Sequence, residues 1–77
     1  MMNYTMAQAK RDFQAGYIKG CNIDFIAGVW VIFIRANADT GFLVDARTKE
    51  NRTFKSLDSA MRSLNDIGFR VVSLHVF

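Results

Sequence analysis

Residues 29–34 read Val-Trp-Val-Ile-Phe-Ile, six apolar residues in a row, most of them β-branched or aromatic. Side chains along a strand point alternately to opposite faces, so Val29, Val31 and Phe33 share one face and Trp30, Ile32 and Ile34 the other. A strand apolar on both faces belongs in the middle of a sheet that is covered on both sides. The whole chain has 77 residues, and a domain of that size buries only about 60% of the surface its unfolded chain exposes. The expectation is therefore one domain, residues 1–77, in which cover for the second face is scarce. A second copy of the chain is the simplest source of that cover, with Trp30, Ile32 and Ile34 as the self-association residues.

The segments around this strand have readable signatures. Thr5 followed three residues later by Gln8 makes a capping box, and Met6, Ala9 and Phe13 recur at helical spacing, so a helix is expected over residues 5–15. Over residues 17–26 the period changes to two, placing Cys21, Ile23 and Phe25 on one face and Asn22 and Asp24 on the other. Ala27-Gly28 makes a tight turn into the central strand. Residues 37–41 form a polar loop, residues 42–47 a third strand, and residues 52–55 a short fourth one. Links this short force antiparallel pairing. Ser56 caps a second helix over residues 56–67, with Asp58 in its first turn and an apolar stripe of Leu57, Ala60, Met61, Leu64 and Ile67. Gly68 ends it, and residues 71–77 alternate as a last strand. The order α-β-β-β-β-α-β gives an α+β fold with a small, mainly antiparallel sheet of four to five strands and two helices.

The charge distribution is uneven. Residues 47–55 hold Arg47, Lys49, Arg52 and Lys55 against the single acid Glu50, a local net charge equal to the formal +3 of the entire chain. On a β-ribbon these four side chains can follow a phosphate backbone. Charged hairpins also keep edge strands soluble. By strand alternation Arg52 and Lys55 fall on opposite faces, so the four charges need not form one patch.

Several function classes are disfavoured. Cys21 is the single cysteine and His75 the single histidine, so neither a disulfide nor a cysteine-rich zinc site can form within the chain. Cys21 patterns with apolar Ile23 and Phe25, whereas His75 patterns with Ser73 on a polar face, which argues against a nucleophile–base pair. Asp24, Asp39 and Asp45 have no metal-ligand spacing. Glycines 16, 20, 28, 41 and 68 are too scattered to cradle a nucleotide phosphate, so no cofactor and no small-molecule substrate are expected. No stretch approaches the roughly 18 apolar residues of a membrane span, and residues 1–5 lack a basic-then-apolar leader pattern, which makes the cytoplasm the expected location. An enzyme is not expected.

The run Arg52-Thr53-Phe54-Lys55-Ser56-Leu57-Asp58-Ser59-Ala60-Met61-Arg62-Ser63-Leu64, closed by Ile67-Gly68, resembles a strand-to-helix junction in small accessory proteins encoded on bacterial plasmids and integrating elements. The arm-binding domains of phage integrases share a similar junction. That second likeness would imply DNA contact by the sheet, and the apolar character of residues 29–34 speaks against it. Two expectations follow. One is a small bacterial binding module that forms a homodimer or docks on a protein partner through an apolar sheet face. The other is a nucleic-acid-binding accessory protein that uses Arg47, Lys49, Arg52 and Lys55.

Overall fold

The Thr5 hydroxyl accepts the Gln8 backbone N–H at 3.2 Å, and the Gln8 side-chain oxygen accepts the Thr5 N–H at 3.1 Å. Two donors at the open end of the helix are thus satisfied reciprocally, and helix α1 (Met6–Gln14) begins where the capping box places it. The computed structural model describes residues 3–36 and 39–70. Within them, strand β1 (Ile18–Ile26) turns through Ala27 and Gly28 into β2 (Val29–Ala36), followed by β3 (Thr40–Phe42), β4 (Thr53–Phe54) and helix α2 (Leu57–Ile67). Ala27 and Gly28 have φ of 53° and 83°. Two positive φ values mark a type I′ turn, whose twist matches that of the strands it joins. The expected last strand, residues 71–77, lies outside the described residues.

β2 is the central strand. On one edge it pairs antiparallel with β1 over its full length, from Ile26↔Val29 to Ile18↔Ala36, with one bulge between Ile18 and Gly20. On its other edge β3 and β4 sit end to end, both antiparallel: Phe42 opposite Phe33, Phe54 opposite Trp30, Thr53 opposite Val31. The third strand differs from the expected 42–47 because its later residues change partners. Leu43 still donates to the Ile32 carbonyl at 2.9 Å, but Val44 donates to the Tyr4 carbonyl at 2.7 Å and bridges to Asn51. Regular pairing with β2 therefore passes to β4.

Both helices lie on one side of the sheet. Ala9 from α1 and Ala60, Leu64 and Ile67 from α2 join Ile32, Ile34, Ile18, Leu43, Phe54 and Tyr4 in one core. Ile32, Ile34 and Leu43 have 0% of their surface exposed. Each large aliphatic side chain buried this way contributes about 1.5–3 kcal/mol. Register puts Cys21, Ile23 and Phe25 on the same side as their partners Ile34, Ile32 and Trp30, as strand alternation requires. α2 is capped by the Ser56 hydroxyl, which accepts the Ser59 N–H at 3.2 Å, and it ends at Gly68 with φ 131°.

This arrangement corrects one expectation. Ile32 and Ile34 are sealed beneath the helices, and Trp30 is packed against the same core. Ile32 and Ile34 have no surface to offer a second chain, because the helices cover the even-numbered face of β2, whereas Trp30 is half-buried. Among the described residues, the side left without a helix is that of Val29, Val31 and Phe33.

Candidate contact surfaces

The helix-free face of the sheet is built by register. Asn22, Asp24 and Ile26 of β1 stand beside Phe33, Val31 and Val29 of β2. Phe42 and Thr53 complete the row from β3 and β4. Phe33 and Phe42 face each other with ring centroids 4.1 Å apart and planes tilted by 36°. Cross-strand aromatic pairs of this kind contribute about 0.2–1 kcal/mol beyond an alanine pair. Val31 is shielded by its neighbours, Val29, Phe33 and Phe42 are half-buried, and Ile26 is 48% exposed. The Arg35 side chain lies against Gly20 at one end of this face. The centre is thus apolar, with Asn22, Asp24, Arg35 and Thr53 around it, and neither described helix covers it.

The basic hairpin has its own internal logic. The Asp45 carboxylate accepts the backbone N–H groups of Arg47 at 2.8 Å and Thr48 at 3.1 Å, and the Thr48 hydroxyl accepts the Glu50 N–H at 3.2 Å. The Lys49 N–H closes onto the Asp45 carbonyl at 2.9 Å, which leaves Lys49 in the left-handed region at φ 64°. The two backbone donors hold the Asp45 carboxyl below the usual carboxylate range, and the Arg47 and Arg52 guanidiniums act in the same direction. Arg47, Lys49, Arg52 and Lys55 are all exposed. The structure gathers Arg47 and Arg52 around one acid, puts Lys49 at the tip, and leaves Lys55 beyond β4 beside the start of α2. The Arg52 guanidinium also stands 6.0 Å from the centre of the Phe54 ring, at the outer limit for a cation–π contact.

The remaining reactive groups are dispersed. Cys21 is half-buried, and burial pushes its thiol pKa up while Arg35 opposes the shift, so less thiolate is present at neutral pH than in a free cysteine. His75 lies outside the described residues. Tyr4 is 2% exposed, and its phenol pKa is raised first by burial and then by the charges of Asp12 and Asp39. Among the described residues no group of three or more His, Cys, Asp or Glu side chains is placed to hold a metal ion, so Asp24, Asp39 and Asp45 do not converge. No helix among them is long and apolar enough to cross a membrane.

Two features of these surfaces were not picked out from the sequence. Period-two alternation assigns Phe33 a face, but that Phe42 is its partner follows only from the register of β3. The exposed large apolar residues Tyr17, Phe25 and Ile26 all belong to β1 or its flank, and a pattern alone does not reveal which strand becomes an edge. Compared with known proteins, the chain matches no family model, no curated protein and no solved structure.

Proposed function

We propose that this protein is a non-enzymatic binding module that self-associates through the helix-free face of its sheet. The observation that carries this reading is the contiguous apolar row Ile26, Val29, Val31, Phe33 and Phe42 on the side opposite both described helices. Two such faces stack about 10 Å apart, and side chains from the two sheets interdigitate. The face is three strands wide and one strand long, roughly 15 Å by 25 Å. That is less than the ~800 Å² per partner of a standard stable interface, so the dimer is weak and forms at high protein concentration.

Sedimentation velocity from low to several hundred micromolar tests it. The expected result is a shift from monomer to dimer that Ile26→Asp and Phe33→Asp abolish. Ile26 is 48% exposed, so its replacement leaves the fold intact and isolates the contact. A wild-type chain that stays monomeric throughout overturns the reading.

A second reading rests on a separate observation. The four basic side chains of residues 47–55 are all exposed, and the described ion pair of the fold, Arg11 with Asp12 at 3.6 Å, involves none of them. A nucleic-acid backbone would satisfy that charge. Arg52→Ala and Lys55→Ala would each weaken binding to a DNA duplex and lower the salt slope by about one unit. Binding unaffected by both substitutions excludes this surface. The setting that suits either reading is the bacterial cytoplasm, in accord with the plasmid-protein likeness of the junction at residues 52–64.

A further inference from the structure

The helix-free face is apolar at its centre, yet a charge sits within it. Asp24 stands on β1 opposite Val31, with Asn22 and Ile26 as its neighbours along the same side. Asp24 is already half-buried, and Val31 beside it is 4% exposed. Stacking two such faces about 10 Å apart takes that carboxylate out of water. A carboxylate buried without a cationic partner is strongly unfavourable. A dimer formed through this row must therefore bring a cation to Asp24.

Among the described residues, its own chain supplies none. Register places Arg35 on the same face, opposite Gly20, and its guanidinium lies over that glycine, 2.6 Å from where a Cβ would stand. From Gly20 to Asp24 the strand advances about 13 Å, whereas an ion pair needs nitrogen and oxygen within about 4 Å. Asn22 and Thr53, nearer to Asp24 on this face, are neutral. Among the described residues neither Asp24 nor Arg35 enters an ion pair. The face thus carries an acid near its centre and an exposed base toward one end, too far apart to meet within one chain.

We propose that Asp24 of each copy pairs with Arg35 of the other, so that two reciprocal ion pairs fix how the copies are oriented. This rests on the self-association proposed above and adds its geometry. A two-fold dimer uses the same patch on both subunits, so a contact made once is made twice. If the axis ran along the strands, every residue would keep its level. The two Arg35 side chains would then share one level, and Asp24 would lie at the level of Thr53 with no cation. An axis across the strands exchanges the level of Asp24 with that of Arg35. The stacked β2 strands then run in opposite directions, with Phe33 of both copies near the axis. Charge pairs of this kind contribute specificity more than affinity, in keeping with a weak dimer.

Charge reversal in the full chain tests it by sedimentation. Asp24→Arg and Arg35→Asp, each alone, set like charges against each other and should weaken the dimer at least about tenfold. An equimolar mixture of the two variants restores both pairs and should dimerise as wild type does. Asp66→Arg, an equal charge change at an exposed position of α2, should leave the dimer unchanged. A gentler cycle guards against variants that fold poorly. Asp24→Asn should weaken the dimer, and adding Arg35→Gln should weaken it no further, because the two groups act as one pair. With a wild-type chain that dimerises, three results each overturn the proposed orientation and leave the self-association standing. They are a mixture no better than its components with no coupling in the neutral cycle, a loss on Asp66→Arg equal to that on Asp24→Arg, or restoration of Asp24→Arg by Lys55→Glu instead of Arg35→Asp. A wild-type chain that stays monomeric overturns both.

Discussion

Replacing Gly68 by alanine should cost far more than replacing Gly28, although both glycines have positive φ. At Gly28 φ is 83° and an added Cβ meets nothing within 4 Å. That substitution carries only the left-handed backbone penalty, about 1–2 kcal/mol. At Gly68 φ is 131° and the new Cβ falls 2.6 Å from two carbons of the Phe13 ring. The backbone penalty in so sparsely populated a region is about 1–3 kcal/mol. Displacing Phe13 from its edge contact with Phe69 adds an overpacking cost of about 1–3 kcal/mol. The total, about 2–6 kcal/mol, compares with an expected stability of about 4–12 kcal/mol for a domain this long. Urea denaturation at equilibrium measures both variants, with constant m-values as the check that the unfolding transition is unchanged. A double-mutant cycle with Phe13→Ala isolates the clash: Gly68→Ala should cost about 1–3 kcal/mol less when the ring is gone. If Gly68→Ala costs no more than Gly28→Ala, or if the cycle shows no coupling, the packing of α2's end against α1 is wrong.

Three other outcomes are expected. Ala27 occupies a positive-φ turn position that asparagine tolerates better, so Ala27→Asn should stabilise the protein by about 0.5–1 kcal/mol and raise Tm by several degrees; no rise in a thermal scan counts against the type I′ turn. Leu64 is 1% exposed in the core, so Leu64→Ala should cost about 2–5 kcal/mol in the same urea assay, and a loss below about 1 kcal/mol would be inconsistent with the close packing of a core position. The pKa of Asp45 is depressed in the folded chain, so its contribution is present above the unfolded carboxylate value near 4 and is lost as pH falls through the lower folded value. Any stability gap between wild type and Asp45→Asn should therefore narrow as the buffer is taken from about pH 5 downward, and a gap that widens in acid refutes the role given to the Arg47 and Thr48 amides.

The sequence by itself determined the local structure. Thr5 with Gln8, Ser56, the Ala27-Gly28 turn and the 3.6-residue stripe Ala60, Leu64, Ile67 all act over a few residues, so the elements and their antiparallel links could be read in chain order. The faces of β1 and β2 were also legible, since alternation is a property of the strand alone. Tertiary structure decided which face meets which partner. Trp30, Ile32 and Ile34 looked as available as Val29, Val31 and Phe33, because residues 29–34 are equally apolar on both sides. The helices settled that choice by covering the even-numbered face, and so left Val29, Val31 and Phe33 on the side that neither described helix covers. The third strand shows the same limit: the sequence of residues 42–47 does not reveal that Val44 will leave β2 for Tyr4 and Asn51. Likewise the basic hairpin was visible as a charge run, whereas the gathering of Arg47 and Arg52 around Asp45 is a product of turn geometry. Local periodicity follows from the backbone's own repeat, but the pairing of faces and edges depends on residues far apart in sequence, and only the folded chain brings those together.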